Sequence, residues 1–264
     1  MYISIDMGGT YTRIASSLDL STIYKSVKFN TKKNLINQKN VINYNIRKLS
    51  DNGPISAICL GVPGTLDRKK GIFLKFPNYK ALENNAFQVL LDPEFHKIPI
   101  TVVNDAHMAG YMEAIEGAGK DYSIVLYISI GTGIGGAWIR DKKLEDAFFM
   151  FEPGHEPVFD DGMDFEKRCS GHNFKRIYGD LTLDKVSKDT WKSYAKELSK
   201  GLSFLLNKYP SDVIVLGGGF SINNFQYFDK FLPSDLNIKL VEHGDNSGVL
   251  GGLAILSRLD INCF

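Results

Sequence analysis

The residues best suited to chemistry are two stretches that join glycines to a hydroxyl, with a polar pair between them. Gly8-Gly9-Thr10 follows Asp6, Gly131-Thr132-Gly133 lies further on, and Asn104-Asp105 stands between. Glycine admits positive φ and lets a ligand approach the backbone closely. Successive backbone N–H groups in such a turn form a concavity that suits phosphate oxygens. A glycine-tipped hairpin is by itself a common turn, and Asn or Asp after a strand is by itself a common helix cap. The conjunction of two such loops, an acid before one and an acid between them, favours phosphate chemistry. A third cluster, Gly217-Gly218-Gly219, and a polar group, Glu152-Pro153-Gly154-His155, complete the set. Carboxylate and imidazole at that spacing can hydrogen-bond a polyhydroxylated ligand, though a surface turn would read the same way.

These residues sit at the ends of short apolar segments. Tyr2 to Asp6 and Tyr11 to Ser16 read as a hairpin with glycines at its tip. Ile55 to Leu60 is a strand that ends in Gly61-Val62-Pro63-Gly64, and Ile100 to Val103 is a strand that delivers Asn104-Asp105 to a helix over Ala106 to Ala118. Tyr122 to Ile130 is a buried strand by length and branching, followed by the loop Gly131 to Gly136 and a short strand Ala137 to Ile139. A weak helix is expected over Lys33 to Leu49. Trp191, Tyr194, Ala195, Leu198, Leu202, Leu205 and Leu206 fall at helical spacing. Val213 to Leu216 is a strand, with Ser221 expected to cap the next helix, and Gly248 to Leu259 is a final apolar helix. Strands alternate with helices throughout, which argues for an α/β fold.

Several function classes are set aside by the same residues. Gly131, Gly133 and Gly136 match G-x-G-x-x-G, but Ala137-Trp138-Ile139 continues as strand where a dinucleotide site needs a helix. Neither loop carries the Gly-Lys-Ser/Thr ending of a P-loop. With 31 basic and 30 acidic residues among 264, nothing draws the chain to nucleic acid or to an anionic membrane. Cys59, Cys169 and Cys263 are too few and too scattered for a disulfide framework or a thiolate metal site, which fits a reducing cytoplasm. No signal peptide and no apolar run long enough to span a bilayer are read, so a cytoplasmic protein is expected.

Taken together, Asp6-Met-Gly-Gly-Thr10-x-x-Arg13, Gly61-Val-Pro-Gly64, Asn104-Asp105, Gly131-Thr-Gly-Ile-Gly-Gly136, Glu152-x-Gly-His155, Gly217-Gly-Gly219 and Gly248-Val-Leu-Gly-Gly252 resemble, in order and over nearly the whole chain, the ROK family of sugar kinases and sugar-responsive repressors. The resemblance implies the two-lobed actin-like ATPase (ribonuclease H-like) fold, with mixed sheets and a cleft between lobes. The small lobe would comprise residues 1–115 joined by the last helix, about 247–264, and the large lobe residues 116–246. It further implies that Asp6, Gly8, Gly9, Thr10, Arg13, Gly131, Thr132 and Gly133 serve ATP and Mg²⁺, with Asp6 holding the metal through water. Gly217, Gly218 and Gly219 would lie by the nucleoside. Gly64, Asn78, Asn104, Asp105, Glu152, His155 and Glu166 would serve the sugar. Many relatives carry a cysteine-rich zinc loop after the histidine. The stretch Glu156 to Phe165 lacks cysteine, so no structural zinc is expected. The small size and missing zinc loop also resemble polyphosphate-dependent glucokinases of the family. A homodimer is expected, and the helix-turn-helix segment of the repressors is not, since Asp6 falls six residues from the start.

A sugar hydroxyl is a poor nucleophile, so the implied mechanism needs a base. Asp105 is assigned that role, with Asn104 positioning the sugar. An ordinary aspartate, pKa ~3.9, is ionised at neutral pH, and a late proton transfer asks mainly for correct placement. The rest would come from neutralising charge on the transferring group by loop N–H groups and Mg²⁺. Lobe closure would keep water out.

Overall fold

The computed structural model describes residues 1–51, 53–76, 79–144, 151–179 and 185–258. Two compact units emerge from the packing: Met1–Met112 with the chain from Asn246 onward, and Glu113–Asp245. Each has its own apolar core, and each is built on one five-stranded mixed sheet.

In the first unit, β1 (Tyr2–Met7) and β2 (Tyr11–Ser17) form an antiparallel hairpin, and β3 (Lys25–Asn30) extends it at the edge. On the other side β4 (Ala57–Val62) and β7 (Ile100–Asn104) run parallel to β1, giving the order β3-β2-β1-β4-β7. A two-stranded hairpin, β5 (Thr65–Asp67) and β6 (Ile72–Lys75), follows β4. All of β4 is buried, as expected of a central strand covered on both faces. Edge strand β3 alternates instead, and its Lys25 and Lys28 suit an exposed edge. The lysines conceal it in a hydropathy reading, and the same polar alternation explains why no strand was expected there.

Helix α1 (Leu35–Leu49) packs by β2 and β3, capped by Asn34, whose side chain accepts from Asn37 N. Helix α2 (Asp105–Ile115) begins at the end of β7. The last described helix, α7 (Ser247–Arg258), lies on β1 and β4. Its contact surface is made by glycines. A methyl group on Gly251 would lie 1.9 Å from Met108 O, and one on Gly252 would lie 2.1 Å from Ser4 Oγ. Neither approach tolerates a side chain.

The second unit repeats the wiring. β8 (Ile124–Ile130) and β9 (Ile134–Arg140) form a hairpin extended by β10 (Lys143–Leu144), while β11 (Val213–Gly217) and β12 (Ile238–Leu240) run parallel to β8. Two short helices, α3 (Phe165–Cys169) and α4 (Gly171–Tyr178), are joined by Ser170. Long helix α5 (Lys188–Lys208) buries Trp191, Tyr194, Ala195, Leu198, Leu202 and Leu205 on one stripe, each leucine contributing ~1.5–3 kcal/mol. Fully buried Tyr194 keeps its hydroxyl satisfied on Cys169 O at 3.0 Å. Two expectations are corrected here. Helix α6 (Gly218–Phe228) starts three residues before Ser221, which is buried inside it; Gly217 is the N-cap, and Gly218 at φ 81° makes the turn that a side-chain cap would otherwise support. Gly135 and Gly136 belong to β9 and not to the loop, because they pair with Ser129 and Ile128 of β8; Phe151 and Pro153 pack where a side chain on Gly136 would stand. Among the described residues no helix is long and apolar enough to cross a membrane.

Candidate active site

In the first unit the candidate residues gather at the carboxyl ends of β1, β4 and β7. The β1–β2 turn is tight, with Gly8 N donating to Tyr11 O at 3.0 Å. It is braced from behind by side chains that sequence reasoning missed. Thr31 Oγ1 donates to Gly8 O at 2.8 Å, and Thr31 N donates to Thr10 O at 2.9 Å. Buried Gln38 of α1 donates through Nε2 to Thr12 Oγ1 at 2.8 Å and accepts from Lys32 N at 2.8 Å. A lone glutamine on a helix gives no sequence signal, since its role depends on Thr12, 26 positions away. Gly9 and Thr10 are left exposed at the tip.

Asn104 and Asp105 divide the work between them. Buried Asn104 caps α2, its Oδ1 accepting from Ala106 N at 2.9 Å and His107 N at 3.3 Å. Its Nδ2 donates to Gly64 O at 3.1 Å, and Gly64 holds φ 99°, a conformation that favours glycine. The helix-cap reading of Asn104 is therefore correct, and the cap fixes where the next side chain starts. Asp105 Oδ1 accepts from Ala106 N at 2.9 Å, while a methyl group on Gly8 would come within 3.9 Å of Oδ2. The carboxylate therefore stands beside the first glycine loop. Asp6, on β1 opposite Arg13 and beside Gly61, has its Oδ2 3.9 Å from Arg13 Nη1. The N-terminal turn of α7 seats the same carboxylate. A methyl group on Gly248 would lie 2.3 Å from Asp6 Oδ2.

In the second unit the candidates converge on the β8–β9 turn. Gly131 N donates to Gly133 O at 2.9 Å, leaving Thr132 exposed at the tip. The start of α4 fastens one side of this turn, with Gly171 N donating to Gly131 O at 2.8 Å. Glu166 fastens the other, its Oε2 accepting from Ile134 N at 2.7 Å. Gly218 packs against Ile130, a methyl there falling 2.5 Å from Ile130 O, which brings the third glycine cluster against the second. The backbone at Gly219 stays open, with no atom within 4 Å of where a side chain would begin.

Pro153–His155 form a turn of 3-10 helix directly after Glu152, with Gly154 pressed against Ile134 O. His155 is exposed, and its Nδ1 lies 3.7 Å from Oδ2 of Asp164. Asp164 caps α3, accepting from Lys167 N at 2.7 Å. Burial pushes the Asp164 carboxyl up, but the bonds from Lys167 and the neighbouring His155 outweigh it and hold the pKa below the usual range. The segment is held from behind by Glu156, which accepts from Lys208 Nζ at 2.7 Å and Tyr209 Oη at 3.0 Å. Asn78 lies outside the described residues. Among the described residues no group of three or more His, Cys, Asp or Glu side chains forms a metal cluster.

Two mixed sheets of one wiring, each with glycine turns at strand ends, define an α/β protein of the actin-like ATPase fold. The family model of the ROK family matches residues 2–173, and the chain belongs to that family. It is 24% identical to the N-acetyl-D-glucosamine kinase of Haemophilus influenzae (strain 86-028NP), over 97% of this chain and 99% of that one. The inorganic polyphosphate/ATP-glucomannokinase of Arthrobacter sp. strain KM superposes with a TM-score of 0.79 at 26% identity, covering 97% of this chain and 98% of the other. A ROK family glucokinase from Streptomyces griseus, solved with glucose and AMPPNP, superposes with a TM-score of 0.80 at 21% identity over 96% and 98%. The homologues are sugar kinases.

Proposed function

We propose that this chain is a kinase that transfers the γ-phosphoryl group of ATP to a hexose hydroxyl, O6 of a glucose-type sugar, with Asp105 as general base. The observation that carries the reading is the Asp105 carboxylate standing beside Gly8 while Asn104 locks the start of its helix. A base next to a phosphate-accepting turn meets the acceptor hydroxyl where the phosphoryl group arrives. Oδ1 is oriented by Ala106 N, so the side chain is placed before any ligand binds. Exposed Gly9, Thr10 and Thr132 would present N–H and hydroxyl donors to phosphate oxygens.

Mg²⁺ would accompany ATP and neutralise charge on the transferring group. Asp6 fits a hydrated ion of this kind. Its carboxylate is a hard oxygen donor beside the loop, partly exposed, and its pairing with Arg13 is long. Glu152, His155 and Glu166 would take sugar hydroxyls, and Gly217 to Gly219 would lie by the nucleoside.

Similarity along almost the full length to an N-acetyl-D-glucosamine kinase favours an N-acetylhexosamine as the second reading of the acceptor. The Arthrobacter enzyme's two donors support polyphosphate as the second reading of the donor. The test is phosphoryl transfer with Mg²⁺, with glucose, mannose, fructose, allose, N-acetylglucosamine and N-acetylmannosamine each paired with ATP and with polyphosphate. Glucose with ATP is the expected best pair. An N-acetyl sugar or polyphosphate ahead by tenfold would install the second reading. Sugar binding without turnover on any pair would overturn the kinase.

A further inference from the structure

Glu166 faces two ways. Its Oε2 accepts from Ile134 N at 2.7 Å, directly after Gly133. A methyl group on Gly133 would lie 2.4 Å from Oε2 but 3.7 Å from Oε1, so the second oxygen is turned away from the turn. The short helix that carries Glu166 also carries its cap Asp164, the residue beside His155. Glu166 O accepts from Asn173 Nδ2 at 3.2 Å, which ties this helix to α4, the helix that fastens the Gly131 side of the same turn. The phosphate-binding turn is thus gripped on one side by main-chain bonds from a helix. On the other side it is gripped by a carboxylate whose remaining oxygen has no hydrogen-bond partner among the described residues.

We propose that Glu166 is a coupling residue: Oε2 holds the Gly131–Gly133 turn while Oε1 takes a sugar hydroxyl, so that sugar binding orders the turn that receives the donor's phosphates. This rests on the sugar-site reading above and extends it. A charge-assisted N–H···O⁻ bond is among the stronger polar contacts. Fixing the free oxygen on a hydroxyl removes the rotamer freedom that would otherwise loosen it. Linkage is reciprocal, so a sugar that steadies the turn tightens nucleotide binding by the factor by which nucleotide tightens sugar. The arrangement gives a kinase a reason to hold its donor productively only when an acceptor is present.

Gly133 supplies the decisive probe. Its φ is not positive, so alanine fits the backbone, and the clashing atom is the end of a flexible side chain. Gly133→Ala therefore displaces the Glu166 carboxylate without rebuilding the turn. The experiment is calorimetric titration of glucose and of N-acetylglucosamine, with and without Mg²⁺·AMPPNP, on wild type, Glu166→Gln and Gly133→Ala. Wild type should bind its sugar about fivefold or more tightly with the nucleotide present. Glu166→Gln keeps an oxygen for Ile134 N but loses the ionised acceptor, and the sugar Kd should rise about tenfold. Gly133→Ala, although it lies in the phosphate turn, should also weaken sugar binding and reduce the coupling to under about twofold. Unchanged coupling in Gly133→Ala, or no coupling in wild type, overturns the proposal while leaving the kinase reading intact. An unchanged sugar Kd in Glu166→Gln removes the sugar contact itself and the coupling with it. Neither sugar binding to wild type removes the reading on which both stand. Hydrogen exchange on wild type gives an independent check if Gly133→Ala fails to fold. Sugar alone should slow exchange at the Ile134 amide, and no slowing overturns the proposal.

Discussion

The two glycine turns sit on sheets of the same wiring, β3-β2-β1-β4-β7 and β10-β9-β8-β11-β12, yet they are held by different chemistry. The first is braced by neutral hydroxyl and amide groups, Thr31, Thr12 and Gln38. The second is braced by a carboxylate, Glu166, and by the start of α4. In each unit an acid is seated against a glycine, Asp6 against Gly248 and Glu166 against Gly133. On the proposed reading, the acids near the neutral brace, Asp6 and Asp105, serve the reaction. The acid of the second brace, Glu166, would serve structure and recognition together. The first turn would then answer to reaction and the second to ligand.

The sharpest test of that division is Asp105→Asn. Turnover should fall by ~10² or more while sugar affinity by calorimetry stays within about twofold. Near-normal turnover would remove Asp105 as base and, with it, the contrast between the turns. A smaller effect is expected from Gly248→Ala, which crowds the Asp6 carboxylate as Gly133→Ala crowds Glu166. The Mg²⁺ concentration for half-maximal activity should rise about tenfold, equivalent to ~1.4 kcal/mol, with the sugar KM unchanged. A shift in sugar KM instead would show that the two glycine–acid pairs do not differ in role.

The smallest effect concerns Asp164. Its carboxyl pKa is lowered on folding, so the stability it contributes is present above the unfolded pKa and is lost as pH falls through the folded value. Asparagine keeps the cap but loses the charge. The wild type should therefore melt about 1–2 °C above Asp164→Asn at pH 7, and the gap should close as pH drops below about 4. A gap that persists at low pH would mean the charge is irrelevant to holding His155.

The glycine turns, the central strands and the Asn104–Asp105 pair were legible because each signal is local. Apolar runs such as Ile124 to Ile130 are long enough to name a strand, and a glycine cluster at a strand end names a turn. What was not legible depends on partners distant in sequence. Gly136 looks like loop until it is paired with Ile128 across the hairpin. Ser221 looks like a cap until Gly218 supplies the turn. Fully buried Glu113 has no local signal of its burial in the helix read over Ala106 to Ala118. It accepts from Ala118 N, Glu242 N and His243 N, and Gly117 must be small to let it do so. The one sequence trace of that arrangement is the pair of glycines, Gly117 and Gly119, just after the helix.

In the first unit α7 covers β1, with Gly252 pressed against Ser4. On a ribosome, β1 therefore emerges well before the helix that covers it. The second unit is one continuous stretch and can close while the first still waits. The growing chain carries Ile3, Ile5 and Met7 through the making of the whole second unit without their covering helix, so stalling or truncation near residue 246 would leave a folded half tethered to a sticky one.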